Sequence, residues 1–186
     1  MLNAPSGNQY DAKFYGTAAI SAQVDSTIQN WLGDACNKCY KVIGTGNVPG
    51  TTGFGKSTTL VLRAANYCPG GNINSLCNIP HFDIAAPGFD FTSSSASNSR
   101  NKAFSGNEAR AFGECENWPG TSCNCNVFKD PILRAGCNNF KSLGWNNVKV
   151  DYVEVKCPRE LAVNCWQNND GTWPPFMDGY CARRDL

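Results

Sequence analysis

Charge and histidine are both scarce in this chain. Of 186 residues only 17% are charged, 16 basic against 15 acidic, and His81 is the single histidine. So sparse and balanced a charge set offers no basic stripe to a nucleic-acid backbone or an anionic membrane, and neither is expected as a partner. No apolar run is long enough to cross a bilayer. The opening Met1-Leu2-Asn3-Ala4-Pro5 passes straight into polar residues with no leader-like apolar core, so the expectation is a mature secreted protein. Asn-x-Ser/Thr triplets are missing, which removes asparagine glycosylation from the expectations. Neither an internal repeat nor a linker divides residues 1–186, a length suited to one domain with its own core.

Cysteine is abundant. Eleven are present, a number that fits an oxidising compartment and a disulfide framework, with at least one cysteine outside any intrachain pair. Cys36-x-x-Cys39 and Cys123-x-Cys125 have the spacing of zinc ligands. With one histidine and the remaining cysteines scattered through loops, disulfides are the better reading, and no metal or other cofactor is expected.

Periodicity predicts short strands joined by long loops. Residues 1–12 read as a loose lead-in, and Lys13-Phe14-Tyr15-Gly16-Thr17 as a short strand. From Thr17 to Leu32, Ile20, Val24, Ile28 and Trp31-Leu32 recur near i, i+4 spacing and predict an amphipathic helix, stopped by Gly33-Asp34. Asn47 to Gly55 is a turn by composition, and Ser57 to Arg63 alternates as a strand should. Thr92 to Asn126 is rich in Ser, Asn and Gly, a long loop of the kind that covers a cleft or makes a plain surface excursion. Asp130-Pro131 predicts a capped helix running to Cys137. Val148 to Cys157 is the clearest strand, and its alternation changes phase at Tyr152-Val153, predicting a bulge there.

The stretch from Cys68 to Phe91 carries the chemistry. A polar Gly/Asn loop between Cys68 and Cys77 leads into a strand at His81-Phe82-Asp83-Ile84, and the chain leaves through Pro87-Gly88. Side chains alternate along a strand, so His81 and Asp83 share one face while Phe82 and Ile84 share the core face. A carboxylate held on a rigid strand is suited to acid catalysis, although the local pattern equally admits a solvated strand residue.

His81-Phe82-Asp83-Ile84-Ala85-Ala86-Pro87-Gly88 resembles the strand bearing the general acid of family-45 glycoside hydrolases, and the matching strand of expansins. Phe14-Tyr15-Gly16 resembles the expansin opening, and the segment around Cys36, Cys39 and Tyr40 the Cys-x-Cys-Tyr strand of both families. Cys157-Pro158-Arg159-Glu160-Leu161, with Asn169-Asp170-Gly171-Thr172-Trp173-Pro174, resembles the C-terminal signature of family-45 endoglucanases. These likenesses span Phe14 to Phe176. They imply a mainly β fold: a six-stranded double-psi β-barrel with a few short helices, long disulfide-tied loops and an open groove. The implied bridges are Cys39–Cys157, Cys125–Cys137 and Cys36–Cys165; Cys68–Cys77 is expected as a local loop closure, and Cys181 is left as the candidate free thiol.

By this resemblance the protein is an inverting endo-β-1,4-glucanase, a secreted monomer acting on cellulose or a related β-glucan. Inversion requires an acid and a base about 6.5–9.5 Å apart. Asp83 is the implied acid, covered in part by Phe82 and its neighbours. Most family members end the first strand in an aspartate base, and here Gly16 falls at that position. A Cys-Pro-x-x-Gly-Asn loop supplies the base in one branch of the family, and Cys68-Pro69-Gly70-Gly71-Asn72 resembles it with one residue fewer. Asn72 is thus the first candidate base and Asn74 the second, with Asp11 as an outside candidate if the register differs. Asparagines in such a loop also serve turn geometry alone. Tyr15, His81 and Trp118 are candidate substrate contacts, the rings of Tyr15 and Trp118 for sugar stacking. The rival reading, favoured by Gly16, is a non-hydrolytic expansin-like wall-loosening protein, and a barwin-like carbohydrate-binding module ranks third.

Overall fold

The structure is a computed structural model that describes residues 2–7, 9–29, 35, 37–50, 54, 57–71, 73, 75–84, 125–127, 131–145 and 148–163. Five strands form one sheet: β1 (Phe14–Ser21), β2 (Cys39–Asn47), β3 (Thr59–Cys68), β4 (Phe82–Ile84) and β5 (Val148–Val155). Helix α1 spans Pro131–Leu143 and α2 spans Arg159–Val163, with 3-10 turns at Ser26–Gln29, Leu76–Asn78 and Cys125–Val127. The strand order is β4-β1-β3-β2-β5. Only the β1–β3 pair is parallel.

Strand β3 is central because both its faces are apolar. Leu60, Leu62 and Ala64 enter the main core with Phe14, Ala18, Ile20, Tyr40 and Val42, while Val61 enters a second cluster with Tyr15, Cys39 and Leu161. Leu60 has no exposed surface and Leu62 only 1%, so truncating either to alanine should cost about 2–5 kcal/mol. The lead-in is packed rather than loose. Leu2 is buried, Asn3 bridges to Tyr15, and the Tyr10 hydroxyl donates to the Lys156 carbonyl at 2.6 Å.

Two of the predicted elements change identity or place. The helix expected from Thr17 is instead the second half of β1, followed by the turn at Ser26–Gln29. Pairing with β3 on one side and β4 on the other satisfies the strand's backbone, and this outweighs the helical spacing of Ile20, Val24 and Ile28. The bulge expected at Tyr152-Val153 lies on the partner strand, where the β2–β5 register shifts between Gly44 and Gly46. Gly44 is needed at that bend: a Cβ there would lie 2.7 Å from Cζ2 of Trp145.

Helix α1 begins at Pro131, as the sequence predicts, and runs past Cys137 to Leu143. Gly144 ends it in the left-handed region at φ +64°, the usual glycine stop. Among the described residues three bridges are present, Cys39–Cys157, Cys68–Cys77 and Cys125–Cys137, and each joins an expected pair. Cys39 and Cys125 are therefore engaged in disulfides and do not serve the zinc knuckles that their spacing suggested. The sheet has two edge strands, β4 and β5, and a sixth strand is not among the described residues. Rings from the two edges nevertheless meet, Phe82 lying 5.2 Å from Tyr152 and 5.7 Å from Tyr40.

Candidate active site

The short strand β4 is fixed to β1 by three register pairs: Ala18 with Ile84, Ala19 with Asp83, and Ile20 with Phe82. Buried Ser21 secures the entry. Its amide donates to the His81 carbonyl at 3.1 Å, its hydroxyl donates to the Ile79 carbonyl at 2.7 Å, and it accepts from the His81 amide at 3.1 Å. Phe82 and Ile84 pack against the main core, which turns His81 and Asp83 to the other face. There His81 Nε2 lies 2.9 Å from Oδ1 of Asp83, and the disulfide sulfur of Cys68 touches Oδ2 at 3.0 Å. The Asp83 side chain is 40% exposed and that of His81 20%. Phe82 points away across the strand, so it positions the carboxylate without covering it.

The register brings in a residue that sequence reasoning missed. Ala19 pairs with Asp83 on one side and with Asn66 of β3 on the other. With neighbouring strands ~4.8 Å apart, the Cα atoms of Asp83 and Asn66 stand ~10 Å apart across a small alanine floor. Both side chains leave the same face, because Tyr67 between Asn66 and Cys68 packs against the core. The Asn66 carbonyl oxygen accepts from the Tyr67 amide at 2.9 Å, which orients the side chain. Strict alternation from Arg63 would have put Ala65 and Tyr67 on this face. The register shift between Ala18 and Ala19 skips Ala65 and reverses the phase. Thr17, two residues before Ala19, shares the same face.

The other sequence-derived candidates separate. Gly16 pairs with Leu62 and lies on the core face between Phe14 and Ala18, so a side chain there would not stand beside Asp83. Asp11, at φ +52°, precedes the far end of β1. From Phe14 to Ala19 alone the strand covers ~17 Å, beyond the span across which an acid and a base cooperate. Asp11 instead borders an open hollow of about 470 Å³ with Ser6 and Lys13. Tyr15 is 2% exposed and belongs to the cluster around Val61, so its ring has no face for a sugar. Burial, then the charges of Glu160 and Tyr10, push the Tyr15 hydroxyl's titration upward. Asn72, Asn74, Trp118, the Cys36–Cys165 pair, Cys181 and residues 92–124 of the long loop lie outside the described residues.

No family model matches the chain. Two curated proteins are similar over part of it. Endoglucanase-5 of Hypocrea jecorina is 28% identical over 85 residues, 39% of this chain and 35% of that protein. Expansin-A12 of Arabidopsis thaliana is 33% identical over 86 residues, 44% of this chain and 31% of that protein. The match thus spans about a third of each relative's length. The two likenesses are similar in extent, and they point to related proteins of two kinds.

Proposed function

We propose that the protein acts on plant cell-wall β-glucan outside the cell, as an inverting endo-β-1,4-glucanase with Asp83 as its acid. One observation carries this reading: a half-exposed carboxylate, fixed on a core-anchored strand against His81, faces Asn66 across the small floor of Ala19. The likeness to an endoglucanase supports it. In the proposed reaction the Asp83 carboxyl gives its proton to the glycosidic oxygen as the bond to the anomeric carbon breaks. Water adds to that carbon from the opposite face and loses a proton, so the configuration inverts. Asn66 and Thr17 would orient this water, and Asn72 or Asn74 from the Cys68–Cys77 loop, in its imidic acid form, would receive its proton at nitrogen and release its own O–H proton to become the amide. His81, with Nε2 at 2.9 Å from Oδ1 of Asp83, would fix the orientation of that carboxyl.

The sheet would close into the six-stranded barrel by bringing its edges together, as the Phe82–Tyr152 ring contact suggests. A second reading is favoured by a specific observation. The strand neighbours on the Asp83 face, Thr17, Ala19, Asn66 and His81, include no second carboxylate. An expansin-like protein that loosens glucan without hydrolysis would need none, and the expansin likeness supports that role.

Release of new reducing ends from carboxymethylcellulose and cellohexaose, by wild type and Asp83→Ala, separates the two. Turnover that disappears in the variant establishes the hydrolase. Wild-type protein that binds cellulose without releasing reducing ends refutes it and leaves the expansin-like reading.

A further inference from the structure

The sulfur contact at Asp83 has a consequence independent of glucan chemistry. The ligand atoms of Cys68, Cys77 and Asp83 all lie within 4.8 Å of one another. They come from three separately anchored pieces of backbone: the end of β3, the 3-10 turn Leu76–Asn78 and the strand β4. In the disulfide the two sulfurs are poor donors. Reduced and deprotonated, they are strong ones. We propose that reduction of the Cys68–Cys77 bridge opens a binding site for a thiophilic divalent cation of the zinc group, held by both thiolates and the Asp83 carboxylate.

The chemistry closes without a missing partner. A phosphine supplies two electrons and becomes its oxide, with one water giving the oxide oxygen and the two protons that the bridge takes up. Alternatively, two small-molecule thiols give the electrons and protons and become their disulfide. The cation then displaces the two thiol protons. Zinc holds sulfur at about 2.3 Å and carboxylate oxygen at about 2.0–2.2 Å, which places donors of a tetrahedral site ~3.4–3.8 Å apart. The three atoms reach that spacing by small shifts once the S–S bond is broken. Two thiolates select zinc or cadmium over magnesium or calcium. His81 completes the design from behind, because its Nε2 lies 2.9 Å from the other carboxylate oxygen, Oδ1, where a ligating carboxylate is usually supported. A fourth position stays open to water. Loading this site would tie up Asp83, so redox state and metal together would silence the proposed acid.

The test uses phosphine-reduced, desalted full-length protein titrated with Cd²⁺ without oxygen, following the ultraviolet thiolate-to-cadmium charge-transfer band and ¹¹³Cd resonances. Wild type should bind one more tight equivalent than Cys68→Ser/Cys77→Ser, with a resonance of a two-sulfur, mixed oxygen site. Asp83→Asn, which keeps both thiols, should bind that equivalent at least about tenfold more weakly. Equal stoichiometry in wild type and the double variant, or unchanged affinity in Asp83→Asn, overturns the proposal. So does equal uptake by the oxidised protein. Circular dichroism checks the sheet, and if the double variant does not fold, Asp83→Asn decides alone. The readout does not involve glucan hydrolysis, so an inactive protein leaves it intact.

Discussion

Two aspartates, Asp25 and Asp83, show how the same side chain is saturated with partners in one place and left open to solvent in another. Asp25 is saturated. It accepts from the Thr27 amide at 3.0 Å, the Thr27 hydroxyl at 2.8 Å and the Lys38 ammonium at 2.9 Å, and only 16% of its side chain is exposed. Lys38 also reaches Glu154 at 3.2 Å, tying the start of the Ser26–Gln29 turn to β5. Burial on its own would raise the Asp25 titration, but the hydrogen bonds from Lys38 and Thr27 outweigh it and hold the carboxyl below its ordinary range. Asp83 has one nitrogen partner and a sulfur that carries no proton. It keeps both solvent access and unused acceptor capacity. A carboxylate that must give a proton to a substrate needs that freedom, while one that pins a turn to a sheet does not.

The sharpest way to break the comparison is to exchange the expected losses. Asp83→Ala should lower hydrolysis by roughly 10²–10⁴-fold, the usual worth of a general acid, and leave thermal stability nearly unchanged. An Asp83 variant that unfolds would make this residue structural after all. Asn66→Ala should cost less, about 10–100-fold in kcat if the amide orients water, with stability retained. Asn66→Asp should restore or exceed wild-type turnover by supplying a second carboxylate. Loss of turnover in both variants alike would limit Asn66 to backbone support for Tyr67.

For Asp25 the signs reverse. Asp25→Asn should destabilise by about 2 kcal/mol near neutral pH, through loss of a charge-assisted hydrogen bond at a largely buried site, with activity per folded molecule unchanged. A folded-state value held below the unfolded one, about 3.9, contributes stability above that pH and loses it as pH falls through the folded value. The gap in urea midpoint between wild type and Asp25→Asn should therefore be full at pH 6 and close as pH drops below about 4. A gap independent of pH would mean that Lys38 and Thr27 stabilise geometry rather than charge.

The placement of Asp83 beside His81 was legible in the sequence, and its surroundings were legible only in part. Alternation alone put His81 with Asp83 and turned Phe82 inward, because a three-residue strand against a core has no other consistent arrangement. Of the three bridges among described cysteines, two could be read from resemblance and Cys68–Cys77 from the short loop it closes. Asn66 could not, because a single skipped residue at Ala65 reverses the phase of β3, and no composition signal marks the skip. Ile20, Val24 and Ile28 misled for the opposite reason. Their spacing is helical, yet Ile20 meets the core from a strand and Ile28 from a 3-10 turn. Tyr15 looked accessible at a strand end, and Leu161 of α2, at a distance in sequence that no local window spans, packs in the cluster that buries it.

The smallest expected effect is at Tyr40, which stands where the two regions meet. Its ring contacts Phe82, one residue from Asp83, and Tyr152 at 6.3 Å. Its hydroxyl is buried beside the Asp25 carboxylate without an aligned hydrogen bond to any partner. Burial first, then the negative charges of Asp25 and Glu154, push its titration far upward, so it stays neutral at any working pH. Tyr40→Phe removes an unpaired buried hydroxyl and keeps the ring, so the change in stability should stay within about 1 kcal/mol and can favour the variant. Asp25 should then keep its depressed titration, since Thr27 and Lys38 supply its bonds. If Tyr40→Phe instead costs more than about 2 kcal/mol or shifts the acid limb of the stability profile, the hydroxyl is a true partner of Asp25. The saturated carboxylate would then extend through Tyr40 and Phe82 to the strand that carries the open one.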